Sequence, residues 1–533
     1  MSRNQLYGSL LATLALALSA CTGGGGGGGG DDDDDTPPPP DRPGWVAIRW
    51  KTPAADQVMS VRILDATSSL VDLALPAGAK SLVGFADPSA TAGDEKILVR
   101  IATSSTAGDI YVANLDGTGL AVAATGVSRV FDWADPTHLV VQKGPDPTQS
   151  ISPQRDLYLV PIDASGEVPL TTDPADEEYG GMAAGKIVFR RGPLIGESDL
   201  YTVDALGGTP QQLTSDAGAE IFFGITQSNR VVFQGGTPPN MNLYAIPITG
   251  GTKATLADGP DPEIPSAIRG DRVVFTENVS PQPDFIEGNV KAVNADGSSA
   301  VDLAATADVP ENPVGITGNG TVLITQQTSF DPVIINLIAV PIGGGSPVDL
   351  GDLASGGVSA IVGDRIVVQR TEAGADSGTI SAVNADGSAE VELATGAIFR
   401  GVTTSRVIFG RQEGADEKLY SVSLSGGSER QLRPGAGTDS YKGHVGNVVV
   451  LSVPGTGGAE DLMAVDSNGQ NLRTLAGQDD AEQFRALTPD GRVIFSRRRG
   501  AFLDDIYVVN HDGTNELPMT DRPDVDVYMG HLP

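Results

Sequence analysis

Cysteine appears once in 533 residues, tryptophan three times and histidine four times. One thiol cannot build a disulfide framework, so packing alone must hold the body of the chain. The histidines, His138, His444, His511 and His531, are scattered, and none has a partner at metal-ligand or catalytic-triad spacing. Three tryptophans leave few aromatic platforms for sugar, and Trp45 and Trp50 read as strand packing. Positive charge is short as well: 35 Lys and Arg face 68 Asp and Glu, a formal net charge of −33. That balance repels nucleic-acid phosphates and anionic lipid, which argues against a nucleic-acid partner and for basic proteins, cations or neutral surfaces. The chain carries no G-x-S-x-G elbow, H-E-x-x-H, P-loop or Rossmann fingerprint in context, so no cofactor or metal is expected. A sustained helical period is missing too.

What is present begins at the N-terminus. Arg3, the apolar run LLATLALAL (Leu10–Leu18) and the small residues Ser19 and Ala20 precede Cys21. The run is too short to cross a bilayer and fits a signal peptide over residues 1–20. The tetrapeptide LSAC resembles the bacterial lipobox, which implies cleavage before Cys21 and acylation of its sulfur and new amino group. The one cysteine of the chain stands at the one position that lipidation requires. Thr22 follows it instead of Asp, which in the lipoprotein sorting pattern implies the outer membrane, with the body on the periplasmic or surface face. Membrane attachment is expected through these acyl chains alone, at ~0.8 kcal/mol per buried CH₂. Residues 21–44 continue as GGGGGGGGDDDDDTPPPP and a few more, a low-complexity tether unable to build a core.

From residue 45 onward one pattern recurs. DIYVANLDG starts at Asp109, DLYLVPIDASG at Asp156, DLYTVDALGG at Asp199 and NLYAIPITGG at Asn242. Related segments start at Asn289, Asn336, Thr379, Lys418, Asp461 and Asp505, with a weaker first copy at Met59. Most copies lie 39 to 47 residues apart, the period of a propeller blade. Each follows a β-branched run such as IVFRR (Ile187–Arg191) or VIFSR (Val493–Arg497) and precedes a short Leu-containing stretch such as PQQLTSD. A less regular strand, for example FFGIT (Phe222–Thr226), leads into the next unit. Four short antiparallel strands per unit make a blade.

The segment LTPDGRVIFSRRRGAFLDDIYVVNHDGTNELPMTD (Leu487–Asp521) is similar to the TolB-type β-propeller repeat, which also occurs in prolyl-oligopeptidase-like and tricorn-type proteins. Its landmarks are PDG before a VIF strand, DIYVV, a DG turn and a closing Met-Thr-Asp. Lys291, Ile338 and Ser381 stand where tyrosine is usual, so several units are degenerate. The resemblance covers about residues 45–533 and implies an all-β fold of four-stranded antiparallel blades. It implies an envelope binding protein rather than a reaction. Peptidases with this propeller add an α/β-hydrolase domain, and the repeats here run almost to the last residue.

Three expectations follow for the architecture. The Asn-x-Asp-Gly corners at Asn114, Asn294, Asn384 and Asn510 are hairpin turns, capped by Asx side chains and closed by Gly, not calcium loops. His511, inside the last of them, reads as a solvent-facing turn residue. VAIRW (Val46–Trp50) reads as the second strand of a blade and VDVYMG (Val525–Gly530) as a first strand, so the two termini should complete one blade. Eleven units exceed the usual four to eight blades, which suggests two rings, units 1–5 over residues 45–270 and units 6–11 over 271–533, with a single large ring as the alternative.

Function is expected on the loops. A candidate binding rim gathers Asp173, Asp176 and Glu177 in one inter-unit link, Asp258 and Asp261 in another, Asp479 and Asp480 in a third and Asp521 and Asp524 in a fourth, with Phe285 and Phe330 on long Pro-containing loops. These acids would attract a basic partner, or merely solubilise the turns. Arg497, Arg498 and Arg499 read as partners of nearby carboxylates. The leading reading is a lipid-anchored, non-enzymatic envelope scaffold for a protein or other surface partner. The alternative is an envelope hydrolase or lyase with its site in the propeller channel, signalled by His, Arg, Tyr and carboxylate gathered there.

Overall fold

The computed structural model describes residues 45–532, apart from 52–56, 64–68, 87, 89–93, 145–153, 194–195, 238–239, 261, 281–286, 307–308, 331–332, 373, 456–458, 478–480, 499–503 and 521–525. Cys21 and the tether therefore lie outside the described residues.

All regular structure among the described residues is β. Blade 4 serves as the pattern: Glu177–Ala183, Lys186–Arg191, Asp199–Asp204 and Gln211–Gln212 form one antiparallel meander. Its two central strands are the apolar ones, because both of their faces are covered by neighbouring sheets. IVF (Ile187–Phe189) is fully buried. Phe189 stands directly opposite Tyr201 with ring centroids 5.6 Å apart, and Phe495 with Tyr507 repeats the pair at 5.4 Å in the last blade. Stacking of this kind adds roughly 0.5–1.5 kcal/mol beyond the area buried.

Eleven such blades succeed one another among the described residues. The first strand of each is called here its axial strand. Blade 1 takes its axial strand, Asp526–Leu532, from the C-terminus and its second, Trp45–Lys51, from the N-terminus. Trp45 pairs with Leu532 and Ile48 with Tyr528, the closure expected from the permuted ends. The axial strands of blades 2 and 4–8 are Lys80–Ala86, Glu177–Ala183, Ala219–Ile225, Glu263–Arg269, Glu311–Ile316 and Gly357–Val362. Those of blades 10 and 11 are Ser440–Val445 and Glu482–Leu487. Two long strands, Ala121–Asp135 and Val391–Val402, each serve twice, as outer strand of blades 2 and 8 and axial strand of blades 3 and 9. Both bend at an Ala-Thr-Gly, where Gly126 (φ 64°) and Gly396 (φ 58°) take a conformation that a Cβ disfavours.

Eleven buried apolar clusters join these blades pairwise and in order. At residue 270, where the sequence suggested a division into two rings, the cores do not break. Val232 and Leu243 of blade 5 share one cluster with Val273 and Phe275 of blade 6. Val46 and Ile48 of blade 1 share another with Ile494 and Ile506 of blade 11. The succession of cores therefore closes on itself once, and residues 43–533 form one compact unit.

Every axial strand carries a β-bulge at the same place. The residue after the bulge is Gly or Ala in every blade but one, for example Gly315, Gly401, Ala486 and Gly530. A large side chain of the next axial strand lies over it. A Cβ on Gly315 would come within 2.6 Å of Ile361 Cδ1, and one on Gly401 within 2.8 Å of the Tyr441 hydroxyl. Blade 3 is the exception. Its Asp132 accepts a hydrogen bond from the Tyr179 hydroxyl at 3.2 Å, and Phe131 stacks on the same tyrosine at 4.8 Å.

Candidate functional site

Two repeated features give the ring its chemistry: a buried acid three residues before the axial bulge in seven of the blades, and the bulge residue itself. Glu177, Glu220, Glu263, Glu311, Asp439, Glu482 and Asp526 hold that position and are all buried. The residue directly opposite on the second strand decides how each is compensated. Arg191 faces Glu177 and Arg497 faces Glu482, with Nε–Oε1 distances of 2.9 Å in both. Arg497 also binds Glu516 at 2.8 Å and lies over the Tyr507 ring, 4.4 Å from its centre. Glu220 faces Gly235, and its carboxylate instead accepts from the Leu200 amide at 3.1 Å and the Thr214 hydroxyl. Glu311 accepts from the Thr306 amide at 3.0 Å and Gln326 Nε2 at 2.8 Å. Asp439 is met by Arg433 Nε at 2.7 Å.

Burial pushes three of these acids up. The Glu177 carboxyl reaches about 8 chiefly because it is buried, with Arg191 opposing the rise and Asp156 of the preceding blade adding to it. Burial raises Glu220 and Glu263 to about 7, against hydrogen bonds from Thr214 and from the Gly259 amide respectively. Glu177 and Glu220 thereby staple their blades to the previous one. They are structural groups with chemistry in reserve.

The expected acidic rim divides on this geometry. Asp176 binds Arg155 (Nε–Oδ1 2.6 Å), Asp173 lies 3.3 Å from Arg191, and Glu178 pairs with Arg190. Glu177 is the buried staple. This link is thus an internal ion-pair network rather than free negative charge. Asp258 is exposed and raises Glu263. Phe330 ends the strand Thr321–Phe330, its backbone paired with Val333. Asp261, Phe285, Asp479, Asp480, Asp521 and Asp524 lie outside the described residues. Arg497 and Arg498 pair with carboxylates as expected, Arg498 with Asp504 at 3.1 Å.

The corners behave as turns. Asp512 Oδ1 accepts from the Thr514 amide at 2.8 Å and its hydroxyl at 2.5 Å, and the same geometry recurs at Asp116, Asp296 and Asp386. His511 corrects the sequence expectation. It is half-buried, with Nδ1 2.9 Å from the Gly491 carbonyl, because the turn preceding the second strand folds beneath the corner. Trp45 packs in the core between blades 1 and 2.

The axial bulges are the feature that sequence reading missed. In blades 1 to 8 the unpaired residues are Met529, Val83, Phe131, Gly180, Phe223, Ser266, Val314 and Ser359, none of them charged. In blades 9, 10 and 11 they are Arg400, Lys442 and Arg485, three cations in consecutive blades. Beside them, blades 10 and 1 repeat a Tyr-x-Gly-His motif. Tyr441 Oη lies 2.8 Å from His444 Nδ1, and Tyr528 Oη 2.5 Å from His531 Nδ1. Burial lowers both histidines, which favours neutral imidazole, and pushes the Tyr528 hydroxyl to about 12. The repeated motif was visible in the sequence, but its meaning required the register.

No family model and no curated protein sequence matches the chain. Among solved structures it is similar to TolB from Acinetobacter baumannii, with 16% identity over 49% of this chain and 64% of that one (TM-score 0.25). It is similar also to the tricorn protease, with 12% identity over 88% of this chain and 49% of that one (TM-score 0.27). Dipeptidyl peptidase 4 of Porphyromonas gingivalis gives 9% identity over 83% of this chain and 59% of that one (TM-score 0.38). The chain thus spans about half the length of the tricorn protease.

Proposed function

We propose that this chain is a lipid-anchored β-propeller of the cell envelope that acts as a non-enzymatic binding protein, held to the outer membrane through Cys21. The single observation that carries the reading is the closed succession of eleven cores. Such a ring fixes eleven axial strands and their connecting loops on one stiff frame, and binding surfaces are built on frames of this kind. The LSAC tetrapeptide supports the anchor. Cross-linking the lipidated protein in intact envelopes should recover one stoichiometric protein, and recovery of none would defeat the binding reading. Cys21→Ser should move the body to soluble fractions; retention in the membrane would defeat the anchor.

A second reading has one observation in its favour. The Tyr441–His444 and Tyr528–His531 pairs on axial strands supply the proton-handling groups a hydrolase or lyase would need. Turnover of an envelope peptide or glycan by the purified chain, lost in His444→Ala with His531→Ala, would favour it over the first.

A further inference from the structure

We infer that the axial edge of blade 10 is a docking site for an extended acidic peptide segment of a partner protein. The inference rests on the binding-protein reading and deepens it. Its first support is charge. In a chain with 35 basic and 68 acidic residues, the three cationic bulge residues fall side by side. Two residues before each bulge residue these blades carry the uncharged Ile398, Ser440 and Gln483, and the acids one residue earlier, Asp439 and Glu482, are buried and paired with Arg433 and Arg497.

The cations are only partly satisfied. Arg400 is held by Glu417 through Nε and Nη2 at 2.7 and 2.6 Å. Arg485 donates from Nε to the neutral Ser496 hydroxyl at 3.0 Å, and Lys442 has no ion pair among the described residues. Arg485 is exposed and Lys442 half-buried. The arc keeps positive charge that the rest of this acidic ring would otherwise neutralise.

The second support is the backbone. The strand Ser440–Val445 pairs on one side only, with Val448–Pro454, and so presents an open row of N–H and C=O groups towards the axis. An added strand is a common way to capture an extended peptide, with the backbone supplying affinity and alternate side chains supplying specificity. Side chains of a strand laid on this edge alternate between the blades to either side, which carry Arg400 and Arg485. Eleven sheet spacings of ~10 Å leave an axial opening on the order of 25–35 Å, ample for one extended chain. A polysaccharide or a nucleic acid would meet the cations but has no strand backbone to pair with the open row.

The test uses the full chain and a fluorescein-labelled peptide of alternating Glu and Val, followed by anisotropy in 50 mM salt. Binding is expected, weakened several-fold in 200 mM salt and at least tenfold by Lys442→Glu with Arg485→Glu. Arg129→Glu, on the axial strand of blade 3, should change it less than twofold. Lys442→Gln with Arg485→Gln serves should the reversal fail to fold. Methylating alternate peptide nitrogens should weaken binding comparably. No binding, equal loss with Arg129→Glu, or equal affinity for the methylated peptide or an anionic glycan would each overturn the inference. An envelope partner recovered without an acidic extended segment would overturn this inference alone, leaving the binding reading intact.

Discussion

The staple at the start of blade 11 and the one at the start of blade 5 occupy the same place in the repeat yet solve it differently. Glu482 meets Arg497, which is itself braced by Glu516 and an aromatic ring. Glu220 meets Gly235 across the sheet and relies on a hydroxyl and an amide. The Glu482 carboxylate is held against a buried cation from the second strand of its own blade and depends on that partner. A buried carboxylate with neutral donors keeps its place by taking up a proton. One repeated position thus carries either a braced ion pair or a group that titrates near neutrality.

The largest effect should come from breaking the first solution. Arg497→Ala leaves Glu482 and Glu516 without their cation and is expected to destabilise the ring by about 3–5 kcal/mol in urea unfolding at pH 8. An unchanged midpoint would mean that Arg497 does not compensate Glu482. The second solution should respond to pH instead. Burial raises Glu220 from 4.5 to about 7, so its contribution is present below pH 4.5 and lost as pH rises through 7, where the folded state must ionise it. Glu220→Gln should therefore gain on the order of 2 kcal/mol relative to the parent between pH 5 and pH 8. A parallel pair of stability curves would contradict the shifted carboxyl.

One solution can also be converted into the other. Gly235 has an ordinary backbone, and a Cβ there would sit 3.4 Å from the Tyr244 ring, where Arg191 and Arg497 have Tyr201 and Tyr507. Gly235→Arg should flatten the pH dependence of stability with a gain or loss of about 1 kcal/mol at pH 8. Persistence of the full pH dependence would show that the facing residue is not what decides. As a reference outside the staples, Asp512→Ala should lower the urea midpoint only slightly, through its corner hydrogen bonds, and by the same amount at every pH above 5.

Strand identity, repeat period, corner chemistry and the terminal closure were all legible in the sequence, because each depends on a few adjacent residues. DLYTV and IVFRR announce central strands by composition alone. The number of rings was not legible, since the angle between successive sheets is set by contacts such as Tyr441 over Gly401 or Ile361 over Gly315, between residues about 40 apart. The roles within the first link of the candidate rim were not legible for a related reason. Asp173, Asp176, Glu177 and Glu178 look alike in sequence, yet Glu177 alone begins the axial strand fully buried, and the arginines that neutralise the rest come from neighbouring strands. Arg400, Lys442 and Arg485 went unnoticed because their common position is defined by a bulge, which composition does not mark.

The pairing of Trp45–Lys51 with Asp526–Leu532 sets a timetable for synthesis. A ribosome makes Trp45–Lys51 long before Asp526–Leu532, so until the later strand emerges blade 1 carries an unsatisfied edge next to an apolar face. Nascent chains, and any chain cut short before Asp526, offer that edge to whatever strand comes by. Those late residues are thus the ones that turn a sticky intermediate into a finished ring.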